Sequence, residues 1–167
     1  MLKKLSIILL TLLIYGCSSK NMVKKENQES AYIIFKTNKI KYADMGFIYR
    51  GDSFTKIEVY GMGQPLFVLN INGMNVCMST FECMEKSEFN KKMLTQYYPN
   101  SILENILRGK PIFNGKNLKT NSGGFIQQIK KDGKYDIFYL VNGTNKLFKD
   151  KINKIKIEIK VNSATSS

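Results

Sequence analysis

Residues 154–161 read Lys-Ile-Lys-Ile-Glu-Ile-Lys-Val, an alternation of apolar and charged residues with a period of two. In an extended chain, successive side chains point to opposite faces. Ile155, Ile157 and Ile159 therefore share one side, and Lys156, Glu158 and Lys160 share the other. A helix would scatter both sets around its circumference, so this segment is a strand with one buried face and one wet face. That pattern belongs to an antiparallel sheet covered on one side only. A lone strand is not stable, so the rest of the chain must supply neighbours of the same kind.

It does so in order. Residues 31–36 and 40–49 are rich in aromatic and β-branched residues, as strands are. Arg50, Gly51, Asp52 and Ser53 have turn chemistry, and the Arg-Gly-Asp tripeptide within them carries no further meaning at that length. Residues 54–60 alternate, with Ile57 and Val59 on one face and Lys56 and Glu58 on the other. Gly61 to Pro65 breaks the pattern; residues 66–71 resume it, and Asn72-Gly73 predicts a two-residue hairpin turn. Residues 74–78 and 80–84 are two further short strands. The period then changes. Phe89, Met93, Leu94 and Tyr97 have helical spacing over 87–97, starting at Ser87 and Glu88. Pro99 opens a second helix with an apolar stripe of Ile102, Leu103, Ile106 and Leu107; Gly109 ends it and Pro111 prevents continuation. After a Gly- and Asn-rich loop over 114–124, residues 125–131 and 134–141 flank an Asp132-Gly133 turn, and Asn142-Gly143 marks another. The expected fold is mainly β: one antiparallel meander, two inserted helices and a second meander.

The N-terminus reads MLKKLSIILLTLLIYGC, with Lys3 and Lys4 followed by an apolar run too short to span a membrane comfortably and a small residue, Gly16, before Cys17. This is the plan of a secretory signal over residues 1–16. Its last four residues, Ile-Tyr-Gly-Cys, resemble the lipobox of bacterial lipoproteins. That resemblance implies lipidation of Cys17, cleavage before it, and anchoring by several acyl chains that does not reverse. Residues 17–30 are polar and read as a flexible tether, residues 31–161 as one domain, and residues 162–167 as a polar tail. Ser18, rather than Asp, after the lipidated cysteine implies delivery to the outer membrane, with the domain facing the periplasm or exposed at the surface.

The formal charge is +13, which falls by two, to +11, when Lys3 and Lys4 leave with the signal. Such a balance favours an anionic partner. Export argues against nucleic acid and for membrane lipid, although a chain this rich in Lys, Asn and Ile carries the charge without needing a partner. There is no histidine, no G-x-S-x-G elbow and no glycine-rich phosphate loop before a helix, so neither an enzyme nor a metal site is expected. Cofactors are expected to be none. Cys77 and Cys83 remain; a turn centred on Thr80 sets them opposite one another, where they either form a disulfide or pack as small apolar residues.

One sheet face would carry Phe47, Tyr49, Ile57, Val59, Phe67, Leu69, Ile71 and Ile157, with Met45, Phe125, Ile129, Tyr139, Ile155 and Ile159. In a closed core these residues pack on each other. In an open half-barrel they line an apolar cavity, with Ile106 and Leu107 of the helical lid above them.

Several stretches in sequence resemble the LolA/LolB half-barrel family: Gly61-Met-Gly-Gln-Pro-Leu66, the Pro99 to Pro111 segment ending Leu107-Arg-Gly-Lys-Pro111, the hairpin from Phe125 through Tyr139, and the terminal Ile/Lys strand. The resemblance spans about residues 40–161. It implies an antiparallel half-barrel with a helical lid, holding acyl chains of lipoproteins or phospholipid in an apolar cavity. It also implies a monomer that receives lipoproteins from a LolA-like periplasmic carrier and inserts them into the outer membrane. The family's tryptophans are missing here. The loop that displays an exposed leucine in that family corresponds to Arg50–Ser53, which has none. The other reading of the same fold is an envelope interaction lipoprotein, an assembly factor or adhesin, with a filled core.

Overall fold

The computed structural model describes residues 27–79 and 82–162. The signal segment, Cys17, most of the tether and residues 163–167 of the tail lie outside them. Among the described residues, eleven strands form a single antiparallel sheet: β1 (Asn27–Lys36), β2 (Lys41–Arg50), β3 (Phe54–Gly61), β4 (Gln64–Asn72), β5 (Asn75–Met78), β6 (Glu82–Glu85), β7 (Leu118–Asn121), β8 (Gly124–Lys131), β9 (Tyr135–Asn142), β10 (Asn145–Asp150) and β11 (Ile155–Val161). Helices α1 (Lys86–Met93) and α2 (Ile102–Arg108), with a 3₁₀ turn at Phe113–Gly115, lie between β6 and β7.

The strand order is β6-β5-β4-β3-β2-β1-β11-β10-β9-β8-β7. The first and last strands pair at the centre, with Ile33 opposite Ile159 and Phe35 opposite Ile157. Each half is a meander running outward from that seam. The edges, β6 and β7, do not meet, so the sheet is open. The helical segment carries the chain from one edge to the other across one face.

That face is curved. Helix α2 contacts both β3 and β10, which are four strand spacings apart in the sheet. A flat sheet would separate them by roughly 19 Å, whereas a helix with its side chains is about 10–12 Å across. The sheet therefore wraps around α2. Gly46 on β2 is one place where the curve needs a missing side chain, because a Cβ there would lie 2.0 Å from the Glu58 carbonyl oxygen and 3.1 Å from Ile33 Cδ1. Beside it the register between β3 and β4 shifts at Val59 and Tyr60, and bulges bend strands in this way.

Several elements differ from the sequence expectation. β1 begins at Asn27, so residues 27–30, expected in the tether, pair with β2. β7 occupies part of the expected 114–124 loop; it is a mostly exposed edge strand, and its pairing comes from β8 rather than from its own apolar pattern. β10 had no distinct signal, because its buried positions include Lys146 and Asp150. The first helix stops at Met93, where Leu94 leaves helical geometry; the Asn90 side chain instead donates to the Pro99 carbonyl at 3.0 Å. Helix α2 ends as expected, at Gly109 with φ 67°, a left-handed position that glycine takes without strain.

Cys77 and Cys83 sit opposite each other on β5 and β6 and are joined by a disulfide.

Candidate functional site

The inner face is mainly apolar. Ile57, Val59, Phe67, Leu69, Ile71 and Ile157 lie on it and are buried, as are Ile106 and Leu107 of α2. Phe47 and Tyr49, expected there too, are not, and neither is Met45. In register, Gly46 faces Val59 and Ile48 faces Ile57 on the inner side, so Phe47 and Tyr49 stand with Glu58 and Lys56 on the outer side. The inner place on β2 belongs to Ile48, which is fully buried. The alternation over 40–49 is blurred by apolar residues on both faces, and packing against β1 and β3 decides the phase. Outside, Phe47 meets Tyr60 edge-on at 5.7 Å. The hydroxyls of Tyr49 and Tyr60 both donate to Glu58 Oε2, at 3.0 and 2.9 Å. Burial pushes the Glu58 pKa up, but hydrogen bonds from Lys56, Tyr60 and Tyr49 outweigh it and hold the carboxyl below its ordinary value.

The space inside the curve is filled. Ile102, Ile106 and Leu107 of α2 and Ile48, Ile57, Val59 and Leu69 of the sheet all have 0% exposure, so no water-sized gap touches them. An empty apolar cavity would be costly, at about 24 cal/mol per Å³. Besides this buried apolar stripe, a set of side-chain hydrogen bonds holds α2 in place. Arg108 Nη2 donates to the carbonyls of Gly51 and Phe54, at 2.8 and 2.7 Å, and Arg50 Nε donates to the Leu107 carbonyl at 3.3 Å. The Tyr139 hydroxyl donates to the Asn105 carbonyl at 3.3 Å, and its burial raises its pKa. Glu104 accepts from Lys86 Nζ at 2.8 Å. Burial works to raise the Glu104 pKa, and Lys86 and Arg108 more than reverse it. The segment after α2 is held by Gln127, which is fully buried on β8; its side chain accepts from Ile112 N at 2.8 Å and donates to the carbonyls of Ile112 and Lys116, at 3.0 and 2.7 Å.

The two ends of the inner face differ. At the distal end, which holds the β1–β2 and β3–β4 turns, the face opens in a cleft of about 420 Å³ lined by Lys39, Ile40, Lys41, Tyr42, Leu66, Phe67, Val68, Met78, Ser79 and Glu82. Tyr42 stacks on Phe67 with centroids 4.8 Å apart. Close by, Met62 at the tip of the β3–β4 turn is fully exposed, and Leu66 is more than half exposed. Met62 holds φ 51°.

The proximal end, where β1 begins and β11 ends, is cationic. Arg50 closes β2 and Lys146 lies near the start of β10, both on the inner face and both against the C-terminus of α2. Arg50 is ion-paired with Glu29. Lys146 is 7% exposed. Burial, reinforced by the Arg50 charge, lowers its pKa to about 8 against a smaller opposing pull from Glu29.

The fold and this face define an open antiparallel sheet wrapped around an internal helix, with an apolar mouth at one end and buried cations at the other. The chain matches no known family model and no curated protein. Among the described residues, no cluster of potential metal ligands is found, and no helix is long and apolar enough to cross a membrane. Sequence reasoning did not single out Tyr42, Ile40, Met78, Arg108 or Lys146, and took Arg50 only as turn chemistry. No local pattern separates them from other aromatics and cations in the chain; only the curl of the sheet brings them together.

Proposed function

We propose that this is a lipid-anchored protein of the outer membrane whose half-barrel domain takes up acyl chains beneath a helical lid, α2. The supporting observation is the distal cleft. It joins the apolar inner face to solvent through Tyr42 and Phe67, and its volume lies within the roughly 300–1,000 Å³ range of small-molecule sites. The filled interior fits a ligand-free state, in which the Ile102, Ile106 and Leu107 stripe occupies the room an acyl chain would take. Burying a chain releases about 0.8 kcal/mol per methylene, enough for affinity without polar contacts. Moving α2 would break a handful of side-chain hydrogen bonds and uncover its apolar stripe, a loss that an acyl chain in its place would offset, while every strand ladder stays intact. Met62 and Leu66 offer an apolar tip for membrane contact that the Arg50–Ser53 turn lacks. Lipidated Cys17 would supply the anchor, and a LolA-like carrier would supply the cargo, in reception and insertion of lipoproteins.

The second reading, an envelope interaction protein with a permanently filled core, is favoured by the complete burial of Ile57, Leu69, Ile106 and Leu107. Native mass spectrometry of the full chain in detergent, followed by lipid extraction, separates the two. Co-purifying phospholipid or acylated peptide, lost in Tyr42→Glu with the fold intact by circular dichroism, supports acyl uptake. A mass that stays ligand-free after mixing with phospholipid and lipoprotein gives the interaction reading the lead.

A further inference from the structure

We propose that Arg50 and Lys146 form a binding site for a phosphate or carboxylate head group at the proximal end of the inner face. The site is built on both sides of the central seam: Arg50 ends β2 and Lys146 lies on β10, with β1 and β11 between them. The stem of Lys146 passes over Gly109, where a Cβ would lie 2.9 Å from Lys146 Cε. The Lys146 ammonium donates to the Thr144 carbonyl at 2.6 Å and, among the described residues, has no carboxylate within ion-pair distance. Arg50 spends Nη1 on Glu29 and Nε on the Leu107 carbonyl. Its Nη2 is buried and unpartnered.

Among the described residues, the nearby acids are already committed. Glu29 is taken by Arg50, and Glu104 is shared between Lys86 and Arg108. Arg50, Lys146, Arg108 and Lys86 thus face two carboxylates, leaving an excess of positive charge in a largely buried place. An arginine cannot shed its proton to relieve this, and a buried charge without a counter-ion is costly. An anionic oxygen cluster meets the planar guanidinium donors and the ammonium point charge together, which explains why donors are kept unspent here.

The place of β1 favours a lipid head group over a free anion. β1 begins at Asn27 at this end, so a lipid anchor on Cys17 would join the described domain at the end that holds the site. That argument rests on the lipid anchor proposed above; the anion site itself does not.

The test uses the full chain in a non-ionic detergent. Thermal unfolding and the Lys146 side-chain NMR signal are followed while sodium phosphate, dihexanoyl phosphatidylglycerol or dihexanoyl phosphatidylcholine is titrated at matched ionic strength. Phosphate and the anionic lipid should raise the melting temperature saturably and shift the Lys146 signal. Lys146→Met and Arg50→Gln should weaken binding at least tenfold, and the exposed Lys110→Gln should leave it unchanged. Tighter binding of phosphatidylglycerol than of phosphate by tenfold or more identifies the lipid source, and equal affinity identifies a free anion. A wild-type protein that responds to phosphate and phosphatidylglycerol no more than to chloride, or an unchanged response in Lys146→Met, overturns the proposal. If Arg50→Gln does not fold, the wild-type titration and Lys146→Met still decide. Failure here leaves the distal acyl cleft untouched, and a ligand-free mass in the acyl experiment leaves this site untouched.

Discussion

The Tyr98 hydroxyl donates a hydrogen bond to the Asp150 carboxylate across 52 residues of sequence. It ties the linker between the two helices to the corner where β10 turns into β11. Asp150 is 2% exposed and also accepts from the backbone amides of Asp136, Ile152 and Asn153, at 3.1, 3.0 and 3.3 Å, and from Asn153 Nδ2 at 2.7 Å. Burial, with the Asp150 carboxylate next, holds the Tyr98 hydroxyl pKa well above its ordinary value. The carboxylate thus satisfies one side chain of the helical segment and the backbone of one sheet corner at once. Tyr98→Phe removes one of its donors and should cost about 1–3 kcal/mol. Asp150→Ala, which orphans all of its donors, should cost more. Urea unfolding of the two variants checks the order.

Gln127 performs the same kind of task on the other side of α2. Gln127→Leu keeps the apolar volume but leaves the Ile112 amide and the Ile112 and Lys116 carbonyls without their side-chain partner. Each buried group left unsatisfied costs about 1–3 kcal/mol. The variant should lose at least about 2 kcal/mol of stability by urea unfolding, and amide exchange over residues 112–116 should quicken.

Leu107 is fully buried near the C-terminal end of α2. Leu107→Ala should destabilise the domain by about 2–5 kcal/mol, by lost burial and the space left behind. If acyl chains enter under α2, the same variant should bind a fluorescent fatty acid more tightly than the wild type, because a ligand refills the space. Equal loss of stability with no gain in uptake would favour a permanently filled core.

Lys146 gives a pH dependence of unusual sign. Its folded pKa, about 8, lies below the ordinary value of 10.5. Below pH 8 the folded protein carries the whole penalty of a buried ammonium. Between about pH 8 and 10.5 the unfolded chain holds more protons than the folded one, so stability should rise with pH across that window. Lys146→Met should remove this rise and be more stable than the wild type at pH 7 by of order 1–3 kcal/mol. Denaturant melts of both proteins from pH 6 to 10 measure the difference curve, in which other titrating groups cancel.

The disulfide between Cys77 and Cys83 closes a short loop, and loop entropy gives about 2 kcal/mol for such a bridge. Reduction should lower the melting temperature by a few degrees and leave the ordering of the variants above unchanged.

Much of the sheet was written locally. The Ile155, Ile157 and Ile159 alternation, the Asn72-Gly73 and Asp132-Gly133 turns, and the apolar stripe ended by Gly109 each encode their element in neighbouring residues, because a strand's period and a turn's φ values are local requirements. β2 was not legible in this way. Its outward Phe47 and Tyr49 are as apolar as its inward Ile48, so only pairing with β1 and β3 could phase it. β7 and β10 were missed because one is an edge held by its partner and the other buries Lys146 and Asp150, residues that single-residue hydropathy assigns to solvent. The gathering of Arg50, Lys146 and Gly109 at one end, and of Tyr42, Phe67 and Met78 at the other, was beyond the sequence. It follows from the first and last strands pairing and from a sheet that curls around α2, and both are long-range choices made by the burial of one continuous apolar face.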